Sequence, residues 1–546
     1  MPGDMSDPTR SETSTVVMST PPPEKGKSSD MSDHTLKARP WRRYITPWDR
    51  IVSHDYPGQG TEEDPYLIDW LPGDEPDPEN PMTWKTSYKW VVTVTAAVAT
   101  LAVAMASSTL SAATNSIRDS FPGYKVQAYV MVTSGFVLGF VVGPLLWAPS
   151  SELFGRRNLF IFTYILFTIF NGSVIASQNI WTLIVLRFFA GTAGSSPLTN
   201  AGSVNANQRG LGMAVFSAAP FLGPGIGPII GGFLGETGGW RWVAALIAMF
   251  SGILTIVGFL ITPETYAPVL LQRRAALLSK VTGRVYRYKG SPKKVQPKQL
   301  FKTALSKPWI LLFREPIVFL LSLYLAIVYG TLYMLFGAFP IVFQQERGWS
   351  PGIGGLAFVG VLVGFAIAVL WTIFIENPRY TRKNDAEGWL PPEQRLVPAL
   401  IGGLLLPYGL FAFAWTASPK SIHWIAPIIC SMPFGMGMVL VFLSIFNYLI
   451  DSYLLYAASV LAANSVLRSL FGVAFPLFVS NMYANLGVNW ASTLVAFLSL
   501  ACAPMPYVFF KFGRTIRRKS PYSREADDMG QKLREQALKN HGEKKA

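Results

Sequence analysis

Cysteine is nearly absent from this 546-residue chain, and the two that occur, Cys430 and Cys502, each lie inside an apolar segment. A lone thiol in that setting packs as a small hydrophobe, so no disulfide, metal site or redox pair is expected. Charge is scarce as well: 14% of residues are charged and 50% are hydrophobic. Soluble domains carry roughly a quarter charged, so the chain belongs in a bilayer. The opening residues, MPGDMSDPTR, lack a basic start followed by an apolar run, so no cleavable secretory signal is expected and the first span carries targeting. No polar stretch combines a nucleophile with a base, a metal cluster or a phosphate loop. The glycine-rich run at 223–232 lacks the Lys and the Ser or Thr of a nucleotide loop. An enzyme, a cofactor and ATP drive are therefore not expected. The net charge of +15 would suit nucleic acid, but the basic residues flank apolar segments, and anionic lipid is the expected counterion.

What the chain has instead is long apolar runs. A crossing helix needs about twenty residues, and such runs fall near 88–112, 126–148, 158–177, 180–202, 210–233 and 241–262, then near 315–341, 354–375, 396–416, 422–449, 457–483 and 490–511. This predicts an all-α membrane protein with twelve transmembrane helices in two six-helix bundles, at 86–262 and 315–512. Residues 1–85, rich in Ser, Pro, Asp and Lys without apolar periodicity, read as a disordered cytoplasmic tail. Residues 263–314 read as a cytoplasmic linker, basic from Arg273 and Arg274 to Lys307, and 513–546 as a cytoplasmic tail. Lys and Arg favour the cytoplasmic side, so the linker and, with an even span count, both termini are predicted inside the cell.

Between the second and third runs stands GPLLWAPSSELFGRR, from Gly143 to Arg157. Gly143 permits close approach of a neighbouring helix, and Gly155 permits a tight reversal. Glu152 can pair with Arg156 and Arg157, or these with the other half; the alternative is that the arginines only anchor topology. Arg187 lies within an apolar run, where a guanidinium usually faces a cavity or a partner rather than snorkelling. Gly223, Gly227, Pro228, Gly231 and Gly232 set small residues at helical spacing. In the second half Arg468 follows Asn464 inside a run and is a default site candidate. Tyr324 and Tyr333 offer amphipathic surfaces for flat or cationic substrates, with packing between helices as the other reading.

These stretches, together with DWLPGDEPDPENPMTW before the first run and PETYAPVLLQRRA after the sixth, resemble the major facilitator superfamily in the form of fungal drug:proton antiporters with twelve spans. The resemblance implies that Glu152, Arg156 and Arg157, with Gly143 and Gly155, form a gate latch between halves. It further implies that Arg187 belongs to a network tied to proton movement, and that the Gly223–Gly232 helix faces the other half. The segment LTNAGSVNANQRGLGM is shorter than the family norm and keeps Arg209 without the usual acid. The expected function is proton-coupled export of a small organic molecule, whether drug, toxin or secondary metabolite, by a monomer in the plasma membrane, with the vacuolar membrane as the other location. A facilitator or importer on the same fold is the alternative. A sensor or scaffold would need a signalling module in the tails, and none is visible there.

Overall fold

A computed structural model of the chain describes residues 42–73, 75–199, 209–290, 297–387, 390–418 and 421–528. Ten helical runs among them are long and apolar enough to cross a membrane. One of these, Leu454–Lys519, contains two spans, because Gly487 adopts φ 71° and breaks the helix. Ile180–Gly194 is apolar but shorter and runs on toward Ser196–Thr199. With that division and that addition, the twelve predicted spans are accounted for in order. The other spans are Thr86–Ala112, Val126–Phe154, Arg156–Ile175, Arg209–Thr237 and Trp240–Ile261 in the first half. Pro316–Glu346, Pro351–Asn384, Pro392–Ala417 and Ile425–Ser452 belong to the second.

The apolar core divides along the same line. Two clusters draw only on the first half, including Phe136, Tyr164 and Phe167 in one and Ile117, Leu183 and Trp240 in the other. The third draws on the second half and takes Val137 and Phe221 from the first. Hydrogen bonds joining the halves fall at mid-span or toward the end opposite the linker. Ser107 and Tyr333 hydroxyls lie 2.7 Å apart, Ser134 Oγ donates to the Val473 carbonyl at 3.2 Å, and the Gly352 N–H donates to Glu236 at 2.8 Å.

The linker-side face corrects the reading of residues 1–85 as a disordered tail. Residues 1–41 lie outside the described residues, but those described from 42 to 85 are folded against the linker. Strand Tyr66–Ile68 pairs in parallel with Tyr286–Tyr288. Ile51, Tyr56, Ile68 and Leu71 share a core with Leu271, Ala275 and Leu278 of helix Ala267–Thr282. Arg274, buried, donates to Asp77 at 2.7 and 3.1 Å and to Glu79 at 2.7 Å; Thr46 also donates to Asp77, and Arg42 pairs with Glu79 at 2.8 Å. Burial outside water is sustained here because each charge has a partner. The C-terminal boundary shifts for a similar reason. The last helix carries Arg517, which pairs with Glu393 at 2.9 Å and with Asp527, while buried Glu315 accepts from Tyr453 at 2.9 Å and from Ser520. Residues 513–528 are thus packed rather than solvated; 529–546 lie outside the described residues.

Removing Arg274 would leave two carboxylates without their shared partner, which typically destabilises by about 3–5 kcal/mol. Arg274→Ala is expected to expose residues 42–85 to limited proteolysis while the helical bundles stay protected. Burial alone would raise the Asp77 carboxyl, but hydrogen bonds from Arg274 and Thr46 and the charge of Arg274 outweigh it and hold it below the usual carboxylate value. A carboxyl lowered in the folded state contributes stability above its unfolded pKa, about 3.9, and loses it as pH falls through the folded value. The same proteolysis assay should therefore show no change between neutrality and pH about 5, and release of the segment below about 4.

Candidate functional site

The reversal between the second and third spans is built on Gly155, at φ 90°. A Cβ there would be both strained and in collision, since the Glu264 carboxyl carbon would lie 3.0 Å away. Glu264, buried at the end of the sixth span, accepts the backbone N–H groups of Arg156 (3.1 Å), Arg157 (3.3 Å), Thr265 (3.0 Å) and Tyr266 (3.0 Å). The Arg157 guanidinium donates to the Thr262 carbonyl at 2.9 Å and to that of Phe259 at 3.1 Å, and Arg156 lies 5.3 Å from the Tyr266 ring centre. Glu152 is exposed and forms no hydrogen bond or salt bridge among the described residues, although its charge and that of Arg156 act on each other. The acid that holds the turn is Glu264, from the same half. A side chain one helical turn away in sequence was the visible candidate, whereas the true partner arrives from 108 residues downstream. Its signal was PETYAP itself. Gly143 does admit a neighbour: a Cβ there would lie 2.7 Å from the Thr192 carbonyl oxygen of the fourth span.

Arg187 is 1% exposed. It points into the first half and not into lipid, donating Nη2 to the Ala106 carbonyl at 2.7 Å and Nε to that of Val132 at 3.3 Å, with its guanidinium 4.2 Å from the Phe136 ring centre. It forms no ion pair among the described residues. Carbonyl dipoles and a ring face thus carry a full charge inside the membrane, tying the fourth span to the first and second. Gly191 makes the approach close, because a Cβ there would lie 2.8 Å from the Phe136 carbonyl carbon.

The glycine run serves two faces of the fifth span. Gly223, Gly227 and Gly231, four residues apart, meet the first span: a Cβ at Gly223 would lie 2.7 Å from the Met105 nitrogen, and one at Gly227 would lie 2.9 Å from the Met105 oxygen. Gly231 meets the Thr109 carbonyl in the same way. Gly232 and Pro228 face the other half, where a Cβ on Gly232 would lie 2.5 Å from the Pro351 oxygen and one on Gly355 would lie 2.6 Å from the Pro228 oxygen. Only part of the motif therefore looks across the halves. Gly232→Val should separate the halves at the end opposite the linker and lower transport, with the bundle still folded by circular dichroism. Gly231→Val should cost folding itself, because its clash lies inside one bundle.

The tyrosines part company. Tyr333 bonds Ser107 across the halves, and Tyr329 donates to Tyr333 at 3.2 Å. Tyr324 is fully buried within the second half, near Gly403, and its hydroxyl has no partner among the described residues. Tyr324 thus fits the packing alternative, while Tyr333 stands where the halves meet. Tyr329, passed over by the sequence reading, takes the place of Tyr324. Arg468 lies 4.8 Å from the Tyr329 ring centre, 5.2 Å from that of Phe442 and 6.0 Å from that of Phe446. Asn464, one turn away, is fully buried. The short segment between the fourth and fifth spans, 200–208 with the Arg209 side chain, lies outside what the structure describes.

No group of three or more His, Cys, Asp or Glu able to hold a metal occurs among the described residues.

The profile described as Major Facilitator Superfamily matches residues 92–476. The MFS-type efflux pump MFS2 of Trichophyton rubrum is 56% identical over 504 residues, covering 90% of this chain and 84% of that protein. The major facilitator superfamily multidrug transporter mdrA of Aspergillus fumigatus is 55% identical over 497 residues, covering 89% and 81%. Among solved structures, the proton:xylose symporter XylE bound to 6-bromo-6-deoxy-D-glucose superposes with a TM-score of 0.56 at 16% identity, covering 79% of this chain and 96% of that one; this likeness speaks to the fold.

Proposed function

Because this chain belongs to the major facilitator superfamily, and is a multi-pass membrane transporter rather than an enzyme, we propose that it exports a small organic molecule in exchange for protons. The observation that carries the direction is its 56% identity over 504 residues to a protein named as an efflux pump. The site supports an organic cargo: where the halves meet, Tyr329, Tyr333, Phe442 and Phe446 present aromatic surface around a single cation, Arg468. Such a lining suits flat rings better than sugars, which need many polar partners.

In this reading the basic linker, by the positive-inside rule, puts the folded module on the cytoplasmic side, and the chain acts as a monomer of the plasma membrane with both termini inside the cell. The contacts between Gly232 and Pro351 then close the outer face, and cargo enters from the cytoplasm. Outward release requires the two bundles to rock about the midplane. Glu264, Arg156 and Arg157 hold the inner turn rigid during that motion. Arg187 sets the field inside the first bundle. Inside-out vesicles from a pump-deficient yeast, energised with a proton gradient, should accumulate compounds from a labelled drug panel only when the chain is present, and should lose them on adding an uncoupler. Accumulation indifferent to the uncoupler would refute proton exchange.

A further inference from the structure

Two intramembrane arginines in this chain are housed very differently. Arg187 has two carbonyl acceptors. Arg468 has three aromatic faces, a marginal contact of 3.5 Å to Ser465 Oγ and no ion pair, and its Nε has no hydrogen-bond partner among the described residues. Ring faces offset only a small part of the cost of holding a cation out of water, about 0.5–2 kcal/mol each. A guanidinium needs planar oxygen acceptors, and nothing described here supplies them.

One turn back on the same helix, Asn464 is fully buried with both amide atoms unpartnered, a donor and an acceptor left open together. Residues four apart lie on one helix face. Buried polar groups are otherwise nearly always satisfied. Arg468 is partly buried with its Nε shielded from solvent, and it lies where the halves meet, against Tyr329, which bonds Tyr333 and through it Ser107 of the first half.

We infer that the cargo carries an acidic group, a carboxylate or its equivalent, on a flat unsaturated ring. The acid is received by the Arg468 guanidinium and the Asn464 amide, and the ring lies against Tyr329 and Phe442. The carboxylate supplies the planar oxygens that Arg468 lacks, and its second lone pairs take the Asn464 N–H. A cationic cargo is disfavoured, because the formal charge that the described residues bring to this lining is that of Arg468.

This inference rests on the transport reading and is tested apart from it. The purified full chain in lipid nanodiscs is titrated with four compounds of one skeleton: 2-naphthoate, its methyl ester, 2-naphthamide and 2-naphthylmethylammonium. The acid is expected to bind ten- to a hundredfold more tightly than the ester or amide, about the worth of a charge-assisted hydrogen bond, and the ammonium is expected to bind weakest. Arg468→Gln should erase that preference, bringing acid affinity down to that of the ester, and Asn464→Leu should reduce it several-fold. Arg468→Lys, which keeps charge without the planar fork, should retain part of it. Equal binding of acid and ester, tighter binding of the ammonium, or no binding of the acid by the wild-type chain each overturns the proposal. Uncoupler-sensitive movement of neutral or cationic drugs in the vesicle assay would leave the export reading standing even then.

Discussion

Replacing Arg187 with methionine is expected to slow transport by about a hundredfold or more, the equivalent of roughly 3 kcal/mol, while thermal stability changes little. Methionine fills much of the same volume but brings no charge and no donors. The two contacts at stake, 2.7 Å to the Ala106 carbonyl and 3.3 Å to that of Val132, connect three spans within one bundle. If Arg187 served only as filler, methionine would preserve transport and alanine would not. If its field and its bridging donors matter, both substitutions lose transport together, and alanine adds a cavity penalty on top. Lysine keeps the charge but is a single point donor that cannot span both carbonyls as the fork does. It should fall between wild type and methionine. Vesicle transport rates and melting temperatures of the same four proteins separate these cases.

Glu264→Ala should be the most damaging change at the turn between the second and third spans. Four backbone N–H groups converge on that carboxylate, and each left unmade in a buried turn costs about 1–3 kcal/mol before water re-enters. A loss of about 3 kcal/mol is expected once water is allowed for, together with a slack turn between the second and third spans. Glu264→Gln is the informative companion. Its carbonyl oxygen can keep the three N–H groups now on Oε1, but its amide nitrogen cannot accept the Arg157 N–H, so the expected loss is smaller. Glu152→Ala should stay within about 0.5 kcal/mol, as exposed positions usually do. The opposite order, with Glu152 the sensitive position, would restore the latch as the sequence alone suggests it.

How far the sequence carried the account depends on which forces write a local signal. Bilayer thickness writes one in every span, so the run from Leu454 to Lys519 could be divided from the sequence near the glycine where its helix breaks, Gly487. Residues 42–85 wrote none, because Ile51, Tyr56, Ile68 and Leu71 complete a core whose other wall begins at Leu271. Arg274 likewise sits among linker bases as one more charge until its partners Asp77 and Glu79 are brought beside it. Tyr324 and Tyr333 did carry a usable signal. Nine residues at 3.6 per turn put them on opposite sides of one helix, so both could not line one space, and Tyr329, four residues from Tyr333, was the better companion. The Gly223–Gly232 spacing was legible as close packing, yet only three-dimensional contact separates Gly223, Gly227 and Gly231 against the first span from Gly232 against Pro351 and Pro228 against Gly355.

In the proposed cycle, transport requires the face opposite the linker to open. In a background with Cys430 and Cys502 replaced by serine, Glu236→Cys and Gly352→Cys place one thiol on each half, where the Gly352 N–H now meets the Glu236 carboxylate at 2.8 Å. Bridging them with a short bis-methanethiosulfonate linker should abolish uncoupler-sensitive accumulation in energised vesicles, and reduction should restore it. Undiminished accumulation in fully bridged protein would contradict the account.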